Sequence, residues 1–112
     1  MGIQDWSDKV VLVTVAPEPD MSEELKTVTQ IVRHRNDCSV VIDFSDAELV
    51  TSSSLAQLLR LQKVLDDHNQ QLVLCGMCPR TKGIFEVTGL NNVFEFVEDK
   101  FTALAGMQLA AK

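Results

Sequence analysis

Thr51-Ser52-Ser53-Ser54 sets four hydroxyl side chains in succession, directly after Leu49-Val50 and directly before a segment that turns helical at Leu55. Two kinds of chemistry suit such a run. One is capping, in which a Ser or Thr oxygen accepts from the unpaired N–H groups of a first helical turn. The other is phosphorylation, because those N–H groups and the positive end of the helix dipole accommodate a phosphate without unfolding the helix. Capping uses one or two hydroxyls, so four leave a surplus.

Other candidates are weaker. Cys75-Gly76-Met77-Cys78 is a C-x-x-C between a strand and a helix, where thioredoxin-like proteins place a redox pair. Against that reading, one further strand follows and Pro79 is the last proline, so no later residue can supply the proline such sites keep beside the thiols. A buried small thiol at the end of an apolar strand is the ordinary alternative for Cys75. Zinc would need two more ligands from Cys38, His34 or His68, at spacings that match no recognised pattern, so no metal is expected. His34 ends a basic run and His68 lies in a turn, where both suit solvent or a helix C-terminus. Asp43, Asp46 and Glu48 occupy a strand end and a loop with no second acidic cluster to complete a site. Trp6 suits either an anchor for the N-terminal segment or a contact residue for a partner.

The elements that must carry these residues follow from periodicity. Val10–Val15 is a continuous, largely β-branched run that reads as a buried strand, and the residues around Ile3 to Trp6 suit a preceding edge strand. Asp20 or Ser22 can cap a helix that opens with Glu23 and Glu24, sets Leu25, Val28, Ile31 and Val32 on one face, and closes on Arg33, His34 and Arg35. Ser39–Phe44 is a second buried strand. From Leu55, the residues Leu55, Leu58, Leu59, Leu61 and Leu65 define one helical face, and Asn69 suits the left-handed turn before a third strand at Gln71–Gly76. Pro79 fits a helix start and Gly89 its end, with Leu90 closing onto Phe85. A short strand at Val93–Val97 and a helix from about Glu98 follow, with Phe101, Leu104 and Ala105 on its inner face and fraying over Gln108–Lys112. Strand and helix alternate, which calls for an α/β domain with a mainly parallel sheet.

At 112 residues and 46% apolar composition the chain is one domain with a substantial core. Sixteen acidic against ten basic residues, net charge −6, disfavour nucleic acid as a direct partner. The start MGIQDWSDK has no signal-peptide pattern, and no run reaches the ~18 apolar residues that span a bilayer, so no membrane insertion is expected. An odd count of three cysteines suits a reducing compartment, with the cytoplasm as the expected location.

The stretch from VVIDF to NNVFEF resembles the STAS domain, the family named for sulfate transporters and anti-sigma factor antagonists. The family pattern places an Asp after an apolar strand, then Asp-Ser-Ser-Gly-Leu, an amphipathic helix, a Leu-Val strand, and a helix ending in Thr-Gly-Leu. Asp43, Ser52-Ser53, Leu55, Leu72-Val73 and Thr88-Gly89-Leu90 meet it in order, and the resemblance covers about residues 9–105. It implies a mixed, mainly parallel sheet of four or five strands with about four helices, packed chiefly on one face. The function it implies is partner switching without a catalytic centre or cofactor: the unmodified domain binds an anti-sigma serine kinase, and phosphorylation abolishes binding. By motif the acceptor is Ser53, with Ser52, Thr51 and Ser54 as fallbacks, and the contact surface is Asp46, Glu48, Val50, Thr51, Ser52, Ser53, Ser54 and Gln57. Two positions depart from the pattern: Thr51 stands where the family has Asp, and Ser54 where it has Gly. The lost carboxylate favours an alternative, a phosphorylation-independent scaffold or a transporter-associated regulatory subunit.

Overall fold

The computed structural model describes residues 2–110. Its elements are β1 (Gly2–Ser7), β2 (Val10–Thr14), α1 (Met21–Arg33), β3 (Ser39–Asp43), α2 (Ser52–Asp67), β4 (Leu72–Cys75), α3 (Pro79–Val87), a 3-10 turn at Leu90–Asn92, β5 (Glu95–Val97) and α4 (Lys100–Ala110). Among the described residues the strands form one sheet in sequence order, with β1 antiparallel to β2 and the others parallel.

That order decides where the helices go. A connection between parallel strands of one sheet is right-handed, so crossovers that always step in the same direction all fall on the same face. Val11, Val13, Val40, Ile42, Leu72 and Leu74 point to that face and pack with α1, α2 and α3. The alternate residues Val10, Leu12, Val41, Val73 and Cys75 point the other way, as the period of two requires, and meet Ala103, Leu104 and Met107 of α4. Helices therefore pack chiefly on one face, and α4 alone covers part of the other. Leu58, Leu61 and Leu65 are fully buried, and each contributes about 2 kcal/mol to holding α2 on the sheet.

The sequence boundaries hold to within a residue or two for the first four strands and for α1 and α3, whereas α2 opens at Ser52 and not at Leu55, so the serine pair forms its first turn. Differences have local causes. Asp20 precedes α1 but makes no side-chain cap; Glu24 Oε1 instead accepts the Ala16 N–H at 2.7 Å. The fifth strand starts at Glu95 because the 3-10 turn occupies its approach and Phe94 is buried, edge-on to Phe85 with ring centroids 5.7 Å apart. Asp99 opens the last helix two residues late by accepting the Thr102 N–H at 2.8 Å. Its buried stripe is Ala103, Leu104 and Met107, leaving Phe101 and Ala105 exposed, since small residues let α4 approach the sheet closely. Leu59 is exposed and Ile31 half-buried, each flanking its inner stripe. Fraying is expected from Gln108, but α4 stays helical through Ala110; Ala111 and Lys112 lie outside the described residues.

Two glycines mark the turns. Gly89 ends α3 at φ 77° and Gly76 follows β4 at φ 69°, both in the left-handed region that costs other residues about 1 kcal/mol or more. Gly76 carries a second constraint: a Cβ there would collide with Asp43 Oδ1 and lie 3.1 Å from the Ser45 amide nitrogen, whereas Gly89 has no heavy atom within 4 Å. Gly89→Ala is therefore expected to lower stability by about 1 kcal/mol and Gly76→Ala by about 2–4 kcal/mol, read from urea unfolding midpoints. Equal losses would show that Asp43 does not confine Gly76.

Candidate functional site

The carboxyl ends of β2, β3 and β4 lie along one edge of the sheet, so the loops after them are neighbours. Asp43 ends β3 at 5% exposure, and its carboxylate is spent on the next turn, accepting the Ser45 N–H and O–H at 3.0 Å each. Ala47 and Val50 are buried in the main core and pin the loop, while Asp46 before them and Glu48 and Leu49 between them face solvent. The next loop is tied on by the Glu48 carbonyl, which accepts the Thr81 hydroxyl at 2.6 Å and the Cys78 thiol at 3.5 Å.

The hydroxyl run divides its labour. Thr51 is the N-cap of α2, and its Oγ1 accepts the Ser54 N–H at 3.3 Å. Ser52 and Ser53 occupy the first two helical positions with exposed side chains, and neither hydroxyl has a partner among the described residues. Ser54 is 0% exposed, because the inner stripe of Leu58, Leu61 and Leu65 runs back through positions 57 and 54. The same geometry buries Gln57. The expected contact surface is corrected accordingly: Asp46, Glu48, Thr51, Ser52 and Ser53 are on the surface, whereas Val50, Ser54 and Gln57 belong to the interior, and Ser54 is not an accessible phosphate acceptor.

One residue that sequence reasoning passed over completes the site. Glu18, in the β2–α1 loop, reaches α2 and accepts the Thr51 N–H at 2.7 Å and the Ser54 O–H at 2.8 Å through the same Oε2 atom. These charge-assisted bonds satisfy the N-cap amide and the buried hydroxyl, and place an anion at the positive end of the helix dipole. The carboxylate absent at position 51 is thus supplied across 33 residues of chain. Pro17 and Pro19 flag a loop around Glu18, but nothing local indicates which helix its side chain reaches.

The remaining candidates separate. Cys75 is buried, and burial, then Asp43 and Asp99, push its thiol up to about 12. Cys78 caps α3 without a side-chain cap bond, and hydrogen bonding from Thr81 draws its thiol below the usual range. The two thiols therefore differ in access, Cys75 sealed in the sheet and Cys78 half-buried at the head of α3. Cys38 is buried and its thiol is raised by desolvation. His34 and His68 sit at the C-terminal caps of α1 and α2. Trp6 is 41% exposed at a register shift in the edge strand β1. A cleft of about 330 Å³ lined by Lys9, Asp37, Ser39, Asn69 and Gln71 opens at the opposite, amino-terminal ends of the parallel strands, away from the serine pair.

A family model described as Mlab, STAS domain, matches residues 4–98. BtrV of Bordetella bronchiseptica, a protein named for anti-sigma factor antagonism, is 25% identical over 89 residues, covering 80% of this chain and 77% of BtrV. Among solved structures, an anti-sigma factor antagonist of Thermotoga maritima superposes with TM-score 0.80 at 15% identity, over 96% of this chain and 93% of that one. The phosphorylated form of the Bacillus protein SpoIIAA gives TM-score 0.73 at 12% identity, over 95% and 97%. A chain from the stressosome, described as a signal integration and transduction hub, gives 0.77 at 18% identity, over 99% of each. At these identities the superpositions establish the fold, and the match over residues 4–98 establishes the family. This chain, with its serine pair at the head of α2 and its helices chiefly on one side of a sequentially ordered sheet, belongs to the STAS domain family.

Proposed function

We propose that the chain is a non-enzymatic interaction module of the anti-sigma factor antagonist type, which binds an anti-sigma serine kinase through its loop edge and is released by phosphorylation at Ser53. The observation that carries this reading is the division of labour at α2. Thr51 caps, Ser54 is buried, and Ser52 and Ser53 are left exposed with no structural duty. The kinase would transfer the γ-phosphoryl group of ATP to Ser53 Oγ, the hydroxyl proton would pass to a base on the kinase, and ADP would leave. The modification adds about 1.5–2 negative charges to a surface that already carries Glu18, Asp46 and Glu48 around the exposed Leu49. Desolvation of that charge at the contact opposes docking. The superposition with phosphorylated SpoIIAA supports a fold that tolerates such a group. On this reading the module works in the cytoplasm, where ATP and the kinase meet it. Among the described residues no helix is long and apolar enough to cross a membrane.

A second reading, a phosphorylation-independent scaffold within a larger regulatory or transporter assembly, is favoured by Thr51 in place of the family Asp and by the likeness to a stressosome chain. Under it, the chain co-purifies with the same assembly before and after phosphatase treatment.

A thiol-redox role is tested by titrating the folded chain with a thiol reagent. Cys78 alone is expected to react promptly, with Cys38 and Cys75 reacting only on unfolding; prompt reaction of both Cys75 and Cys78 would revive that role. The switch is tested by binding of wild type, Ser53→Ala and Ser53→Asp to an anti-sigma serine kinase of the same genome. Ser53→Ala is expected to bind like wild type, and Ser53→Asp about tenfold or more weakly, since burying an unpaired carboxylate at the contact costs at least that factor. Equal affinities for all three would overturn it.

A further inference from the structure

Glu18 belongs to none of the sequence motifs, yet it holds two of the loops that form the candidate docking edge. Its single Oε2 atom accepts from Thr51 at 2.7 Å and from Ser54 at 2.8 Å. Ser53 lies between those two residues on the first turn of α2. We propose that Glu18 is the positioning residue of the serine switch: its carboxylate latches the β2–α1 loop to the head of α2, and a phosphate on Ser53 opens the latch. The inference rests on the Ser53 reading above for its trigger and on the hydrogen bonds alone for its mechanism.

The physical case is competition for one electrostatic position. The head of a helix offers a few unpaired N–H groups and roughly half a positive charge. In the unmodified chain Glu18 occupies that position from outside the helix. A phosphate attached within the first turn brings about 1.5–2 negative charges to the same end of the helix without the entropy cost of holding a distant loop. The carboxylate is then both outcompeted and repelled. Residues 16–20 detach, and the loop edge changes shape as well as charge. Ser54 loses the acceptor for its buried hydroxyl in the same event, which couples the head of α2 to the release.

The test reads the chain alone, so it can fail independently of kinase binding. Phosphoserine is installed at position 53 during translation, and amide hydrogen exchange of Thr51 is followed by NMR in wild type, Glu18→Gln and Glu18→Ala. In wild type, phosphorylation is expected to speed Thr51 exchange by about tenfold or more, as for loss of a charge-assisted hydrogen bond. Glu18→Gln keeps an acceptor but removes the charge, so phosphorylation should change exchange less than about threefold there. Glu18→Ala should exchange fast with or without the phosphate. Unchanged Thr51 exchange in phosphorylated wild type overturns the latch, as does an equal acceleration in wild type and Glu18→Gln. If the latch opens as expected but kinase binding ignores Ser53, the functional reading fails and the latch stands.

Discussion

The right-handed crossover is the constraint on which the rest of the molecule depends. Because β2, β3, β4 and β5 add to the sheet in one direction, α1, α2 and α3 are forced to one face, and the strand order never reverses. Ligand crevices in open α/β sheets form where that order reverses and neighbouring loops part to opposite faces. Here the loops after β2, β3 and β4 stay together and knit into a continuous edge. A surface of that kind presents itself to another protein more readily than it encloses a small substrate.

Within that edge, chemistry is set by how few polar groups go unpaired. Asp43 is used by Ser45, the Glu48 carbonyl by Thr81 and Cys78, and the Thr51 amide and Ser54 hydroxyl by Glu18. An unsatisfied buried hydroxyl costs about 1–3 kcal/mol, so Ser54 at an otherwise apolar stripe position commits the chain to keeping Glu18 nearby. The two hydroxyls outside this accounting are the ones whose modification leaves the core intact.

Much of this was legible in the residues. Continuous β-branched runs marked β2 and β3, Asn69 marked the turn into β4, the Leu58, Leu61 and Leu65 spacing marked α2, and Gly89 marked the end of α3. Coverage of the sheet was harder, because periodicity says which face of a helix is buried and not which side of the sheet it joins; α4 shows this, with Phe101 outside where its size suggested the core. Ser54 could have been found by running the leucine stripe back one turn. Glu18 could not, because its partners are distant in the chain and a single glutamate between prolines carries no pattern.

The edge strands have a consequence for how the molecule meets copies of itself. An open sheet exposes a row of unpaired amides and carbonyls that can template further strands. Here β5 is three residues long, and the register of β1 slips between Asp5 and Ser7 at Trp6, which adds twist and interrupts the row. Arg35 Nη1 also holds Asp5 Oδ1 at 2.9 Å beside it. With one border too short and the other kinked, sheet-to-sheet growth finds no straight template at either edge, although much of the core is β-structure.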